Sequence, residues 1–303
     1  KKTQELISYD HSVWKDIKKE LFSNKIALVS IIILLIIIIA SILAPLSPYD
    51  PNKINVAEKL QGISAKHIFG TDEYGRDYFT RALYGGRISL TVGFCSMIMT
   101  VILGTAIGIT SGYFGGKVDL IMMRIVDIVY SLPDMLIIIL LSVVFQERLK
   151  PLIEGTMFEK LGTNMISMFI VFGLLYWVSM ARLIRGQILT IKNNEYVLAA
   201  RCIGTRNSRI LTRHILPNCL SVIIITTALQ VPSAIFTESY LSFLGLGVSA
   251  PLTSLGSLAN DARSAMQSYP YRLVIPAVLI CLIVLALNLL GDGLRDAFDS
   301  KLN

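Results

Sequence analysis

Residues 26–44 read IALVSIIILLIIIIASILA and stop at Pro45. A charge-free apolar run of that length, at about 1.5 Å of rise per residue, crosses the roughly 30 Å hydrocarbon layer of a bilayer as a helix. The run lies too far from the first residue, and lacks the small-residue cleavage site, to be a removable leader. The whole chain has the same character. Of its 303 residues 53% are hydrophobic and only 16% are charged, against about 25% charged in a soluble domain. A soluble globular protein and a disordered chain are both excluded on that ground.

Working outward, further apolar runs cover 88–111, 118–145, 165–181, 218–240 and 272–291. Six spans in all predict an all-α membrane protein. The run 118–145 is the least regular, because it contains Arg124, Asp127, Pro133 and Asp134. Pro133 predicts a kink, since it removes a backbone hydrogen bond. Arg124 and Asp127 stand one helical turn apart and are expected to pair. An ionisable group inside a membrane is a functional candidate, which makes Asp127 and Pro133 candidate pathway residues. The alternative is that Asp127 is solvated at the cytoplasmic end of the span.

Twenty-eight Lys and Arg against 21 Asp and Glu leave a net charge of +7. In a membrane chain such an excess marks cytoplasmic segments, not a nucleic-acid partner. Segment 1–25 carries Lys1, Lys2, Lys15, Lys18, Lys19 and Lys25. The connection 182–217 carries Arg182, Arg185, Lys192, Arg201, Arg206, Arg209 and Arg213 against Glu195. Six spans place both segments on one side, so the reading is a multi-pass cell-membrane protein with both termini cytoplasmic. Along the chain this gives a cytoplasmic or interfacial segment 1–25, a first span 26–44, an extracellular loop 45–87, a five-helix core 88–291 and a cytoplasmic tail 292–303. Val13, Trp14, Ile17, Leu21 and Phe22 share one helical face, which suits an amphipathic helix along the inner leaflet. Cys95, Cys202, Cys219 and Cys281 are far apart and read as apolar packers. His11, His67 and His214 have no metal-ligand spacing, so no metal site is expected.

Ser96, Thr100, Gly104, Gly108 and Gly112 recur every fourth residue. Such a stripe lets helix backbones approach closely. A tight helix contact is expected, with a hinge or a smooth pore wall as alternatives.

The connection RLIRGQILTIKNNEYVLAARCIGTRNSRILTRHILP (182–217) is too polar to span and too long for a turn. Tyr196 to Ile203 form a good helix, and Gly204 can close it in a left-handed conformation. A second helix is expected from Ser208 to Pro217. A short helix between two spans, ringed by arginines, reads as a docking element for a cytoplasmic partner, the alternative being a loop that its positive charge merely keeps in the cytoplasm.

The same segment resembles the cytoplasmic signature of ABC importer permeases, E-A-A-x-x-x-G-x9-I-x-L-P. Here it reads L-A-A-R-C-I-G (198–204) and, nine residues on, H-I-L-P (214–217). Ala199, Ala200, Gly204, Leu216 and Pro217 match; Leu198 replaces the usual Glu and His214 the usual Ile. Three more stretches are similar to the second permease of oligopeptide, dipeptide and nickel importers: H-I-F-G-T-D-E-Y-G-R-D (67–77) with R-A-L-Y-G-G-R-I-S-L (81–90), E-S-Y-L-S-F-L-G-L-G (238–247), and N-L-L-G-D-G-L-R-D (288–296). The resemblance implies a six-helix type I importer permease whose coupling residues are Tyr196, Leu198, Ala199, Ala200, Arg201, Gly204, Leu216 and Pro217. It also implies a companion permease as heterodimer partner, two ATPase subunits carrying ATP and Mg, an extracellular solute-binding protein and a peptide substrate.

The chain itself has no G-x-x-x-x-G-K-[ST] phosphate loop, so neither a cofactor nor enzymatic activity of its own is expected. The Gly-interrupted stretch after residue 240 suggests a re-entrant or gate element at Ser242, Phe243 and Gly245. Two alternatives remain. A nickel or metallophore permease shares the motifs. A secondary transporter would use mid-membrane acids, for which Asp127 and Asp134 are the candidates.

Overall fold

The computed structural model describes residue 15 and residues 17–299. The regular structure of the described residues is helical, with no strand beyond one isolated bridge between Thr71 and Asp77. The long helices are α1 (Lys25–Ile42), α2 (Tyr78–Phe114), α3 (Gly116–Tyr130), α4 (Asp134–Ile153), α5 (Thr163–Leu175) and α6 (Trp177–Ile191). After them come α7 (Glu195–Cys202), α8 (Asn207–Ile210), α9 (Leu216–Phe243), α10 (Leu255–Arg263) and α11 (Tyr271–Asp299). Among the described residues five helical stretches are long and apolar enough to cross a membrane, and six if the bent pair α3–α4 is counted as one span.

That pair corrects the third predicted span. Residues 118–145 are not one kinked helix but two, meeting at 90°. Pro133 does not sit inside a helix; it is the residue just before α4, with extended backbone. A proline has no N–H to give, and it pushes its predecessor out of the α region, so the chain breaks at Ser131–Pro133. Three other boundaries move. The loop expected to end at 87 ends at Asp77, whose Oδ2 accepts the Thr80 N–H (2.8 Å) and caps α2. The connection expected from 182 begins only after α6, at Lys192. The helix expected to stop at Pro217 runs through it, because Leu211–Ile215 form a π turn whose wider hydrogen bonds let the Pro217 ring in.

The chain divides into two compact units, Lys1–Gly93 with Val231–Asn303, and Phe94–Gln230. In the first, α1 packs along α11 and α10 packs on α11. Gly293 permits the α1 contact, since a Cβ there would lie 2.7 Å from that of Ala27. Ile235, Leu255 and Ile283 form one core, and Tyr78, Ala82 and Leu258 another. Residues 17–23 are helical, with Ile17 buried and Phe22 exposed; Val13 and Trp14 of the expected amphipathic face lie outside the described residues. Asn24 ends that helix and starts α1, its Oδ1 accepting from Ile26 N and Ala27 N.

The second unit is built around α6. Met180, Ile184, Ile188 and Ile191 of α6 meet Val197 and Ala200 of α7, Ile210 and Ile215 of the α8 turn, and Cys219 and Ile223 of α9. The stripe on α2 lies against α6 as well. A Cβ on Gly104 would come 2.6 Å from the Met180 side chain, one on Gly108 2.7 Å from the Ala181 carbonyl, and one on Gly112 3.0 Å from Ile188 Cβ. Ser96 and Thr100 continue the buried row. Glycine here removes the side chain that would otherwise hold two backbones apart.

Candidate functional site

Helix α7 is the short helix that follows α6 in the arginine-rich connection to α9. Its two inward residues, Val197 and Ala200, are buried in the α6 core. Tyr196, Leu198, Ala199, Arg201 and Cys202 are exposed, and Ile203, just past the helix, is 83% exposed. The helix is closed by Gly204 at φ +78°. Thr205 N donates to Ala200 O (3.1 Å) and Gly204 N to Arg201 O (2.9 Å), a Schellman arrangement.

Both ends are tied down. Asn218 Nδ2 donates to the Tyr196 hydroxyl (3.3 Å) and to His214 O (2.6 Å). Arg201 lies over the Tyr113 ring at 5.9 Å. Of the residues in the signature, Ala200 faces inward, Leu216 is half-buried, and Leu198, Ala199, Arg201, Gly204 and Pro217 are exposed. The conserved-looking pattern therefore mixes packing positions with surface positions, which spacing alone does not separate. Among the described residues no carboxylate pairs with Arg201, Arg206, Arg209 or Arg213, so the segment presents uncompensated positive charge.

The ion pair expected within α3 is not made. Asp127 instead accepts from Arg182 of α6 (2.8 Å), and Arg182 lies 4.0 Å from the Tyr130 ring centre. One seam further, Arg185 holds Asp119 through two bonds (2.5 and 2.6 Å), and Ser111 donates to the same carboxylate. Sequence spacing favours partners on one helix. Here the bend after α3 brings its acidic face to the arginines of α6.

The first unit holds a second polar centre. Asp72 is buried and accepts from Arg76 Nε (2.7 Å), Arg81 Nη1 (2.7 Å) and two backbone N–H groups. Arg81, 3% exposed, reaches on to Asp261 (2.9 Å). His67 is buried between Asp77 (2.8 Å) and Glu58 (3.5 Å). Arg272 is buried too; it donates to Thr71 O and lies over the Tyr269 ring. Lys66 hydrogen-bonds Glu58 and holds that carboxyl below the usual range.

Beside this network a cavity of about 410 Å3 is bordered by Arg76, Arg81, Thr253, Asn260 and Asp261, and by Ser242 and Gly245. The expected re-entrant element is the capped end of α9. Gly245 has φ +81°, Leu246 N donates to Leu241 O (2.8 Å), and no further helix forms until α10. Phe243 is half-buried there.

Sequence reading missed Glu238, which is an ionisable residue inside the apolar run 218–240. It is fully buried. Ser89 (2.7 Å) and Ser242 (2.8 Å) donate to its two oxygens, and Ser239 lies at 3.2 Å. The signal was available, since an acid within an apolar span announces itself. The caging hydroxyls come from α2 and α9 and required the fold. Arg272, at the start of the last span, was missed for the same reason.

Residues 104–303 match the family described as binding-protein-dependent transport system inner membrane component. Residues 12–62 match the N-terminal TM domain of oligopeptide transport permease C. The chain is 43% identical over 292 residues to an oligopeptide transport system permease protein of Bacillus subtilis (strain 168), covering 96% of this chain and 90% of that protein. It is 43% identical over 298 residues to a dipeptide transport system permease protein of the same strain, covering 98% and 87%. It is 40% identical over 293 residues to an oligopeptide permease of Escherichia coli (strain K12), covering 96% and 92%. A crystal structure titled as an amino acid ABC transporter with histidines shares the fold, with a TM-score of 0.51 at 13% identity over 72% of this chain and 92% of that one.

Proposed function

We propose that this chain, which belongs to the inner-membrane permease family of binding-protein-dependent ABC importers and to its oligopeptide and dipeptide branch, carries peptides across the cell membrane as one half of a permease pair. The relatives that match nearly its whole length are named for oligopeptides and dipeptides, which favours peptide over a nickel chelate. The work comes from two ATPase subunits that bind ATP and Mg. This chain is a transport subunit with no chemistry of its own. A companion permease completes the passage, and a solute-binding protein delivers peptide on the side of residues 45–77. Both termini and α7 then lie in the cytoplasm, as the basic segments require.

The observation that carries the mechanism is the division of α7 into two faces. Val197 and Ala200 fix it to α6 and to the start of α9, while Leu198, Arg201 and Ile203 stand open. A displacement applied to the open face is passed to two membrane helices at once, because the shared core is close-packed and moves as a body. ATP binding drives the switch by as much as it prefers one state over the other. Asp127, paired to Arg182, and Ser242 and Gly245, at the outer cavity, are the positions offered as pathway or gate.

The test is reconstitution of the chain with its neighbouring subunits in proteoliposomes. Uptake of a labelled tripeptide is expected to require ATP and to persist when ion gradients are collapsed. A cysteine at Leu198 or Ile203 is expected to cross-link to the ATPase. Uptake driven by a proton or sodium gradient without ATP overturns the reading, and ATP-driven uptake of nickel–chelate but not peptide replaces its substrate.

A further inference from the structure

Helices α1 and α11 enclose a groove of about 360 Å3. Ile26, Val29 and Ile33 form one wall, and Leu282, Leu285 and Leu289 the other, with Ala286 and Ser30 beneath. Ser30 adds no polarity to the groove, because its hydroxyl is turned to the Ile26 carbonyl (2.9 Å). From Leu282 to Leu289 the groove advances about 10 Å along the helix axis. It is open along its length, since Val29 and Leu285 are more than half exposed. At one end stands Lys25, exposed and, among the described residues, in no ion pair.

We propose that this groove is a lipid site, seating one acyl chain of an anionic phospholipid whose headgroup is held by Lys25. The two ends of the site call for different chemistry, and a phospholipid supplies both. An apolar channel that narrow fits a hydrocarbon chain, and a cation at its mouth fits a phosphate with a net negative charge. Leu21 and Ala27 both contact the Gly293 position, so the helix of residues 17–23 returns to the same end of α11 as Lys25. By sequence residues 15–25 and 291–299 balance Lys15, Lys18, Lys19, Lys25 and Arg295 against Asp16, Glu20, Asp292, Asp296 and Asp299, so the preference for an anionic headgroup rests on Lys25 at the mouth of the groove. A second protein helix would fill the channel but leave Lys25 unanswered unless it brought an acid.

The experiment uses the whole chain, purified in mild detergent with its accompanying subunits, and counts retained lipid by native mass spectrometry against added phosphatidylglycerol and phosphatidylcholine. One phosphatidylglycerol per chain is expected to be retained in preference to phosphatidylcholine. Lys25→Gln is expected to lower that preference by about fivefold while some lipid remains, as loss of a single lysine–headgroup contact predicts. Val29→Trp, and separately Leu285→Trp, fill the groove from its two exposed walls and are expected to remove lipid of either kind. Equal retention of both lipids by the native chain, an unchanged preference in Lys25→Gln, or undiminished lipid in both tryptophan variants overturns the proposal. So does a cross-link from Leu285→Cys in native membranes to another permease subunit, which would show the groove covered by protein.

Discussion

Two polar connections of this chain face the same problem and solve it oppositely. The segment 55–81 turns its charges inward. Asp72 gathers Arg76 and Arg81, and Asp77 holds His67. Residues 195–213 keep their apolar residues Val197, Ala200 and Ile210 inside and leave four arginines outside, unpaired among the described residues. The first is a rigid cap whose charges are consumed by its own folding. The second keeps its charges available, as the proposed coupling role requires. Buried pairs cost several kcal/mol to break, whereas exposed arginines contribute little to stability and are free to serve a partner.

The largest effect that would break this contrast comes from the cap. Asp72→Ala leaves the buried Arg81 guanidinium without its main partner and is expected to cost about 3–5 kcal/mol, read as a fall in Tm of the purified protein. A change within error would show the network to be decorative. Next, Ala200→Asp puts a charge on the packed face of α7 and is expected to destabilise by at least about 2 kcal/mol. Its loss of uptake will then come with a lowered Tm, so it does not isolate the coupling contact. Gly204→Ala meets open space but must hold φ +78°, a strain of about 1–2 kcal/mol; hydrogen exchange should show the end of α7 fraying.

Smaller still in stability, Leu198→Ala is expected to shift it by less than about 0.5 kcal/mol while lowering ATP-driven uptake severalfold. A matched fall in Tm would return Leu198 to the packing class. The smallest effect is that of Glu58 and Lys66. Because Lys66 lowers the Glu58 pKa, whatever the pair contributes is full above the unfolded carboxylate value and is lost as pH falls through the lowered folded one. The Tm difference between the native chain and Lys66→Ala should therefore vanish on acidification and shrink in salt.

Much of the architecture was legible because apolar length is a one-dimensional property. The runs at 165–181, 218–240 and 272–291 fall within long helical stretches, and the run at 26–44 does so except for its last two residues. Their ends were less legible. Polar first turns such as Tyr78–Arg87 lower the local hydropathy without ending the helix, and at Pro217 the chain admitted a π turn where a stop was expected. In α7 the helix and its glycine closure could be read from composition. Which of Leu198, Ala199 and Ala200 faces the core could not, since that depends on where α6 lies.

What the sequence settled by itself was the solvent: a charge-free run of nineteen residues, seventeen of them apolar, leaves a backbone no option but a helix in lipid, and the basic segments set the sides expected of it. What tertiary structure alone decided was pairing. Asp127 took Arg182 over Arg124, Glu238 found Ser89 on another helix, and Arg81 reached an aspartate 180 residues away. Hydrophobicity sums along a chain, but a buried charge is satisfied only by the group that folding brings within about 3 Å of it.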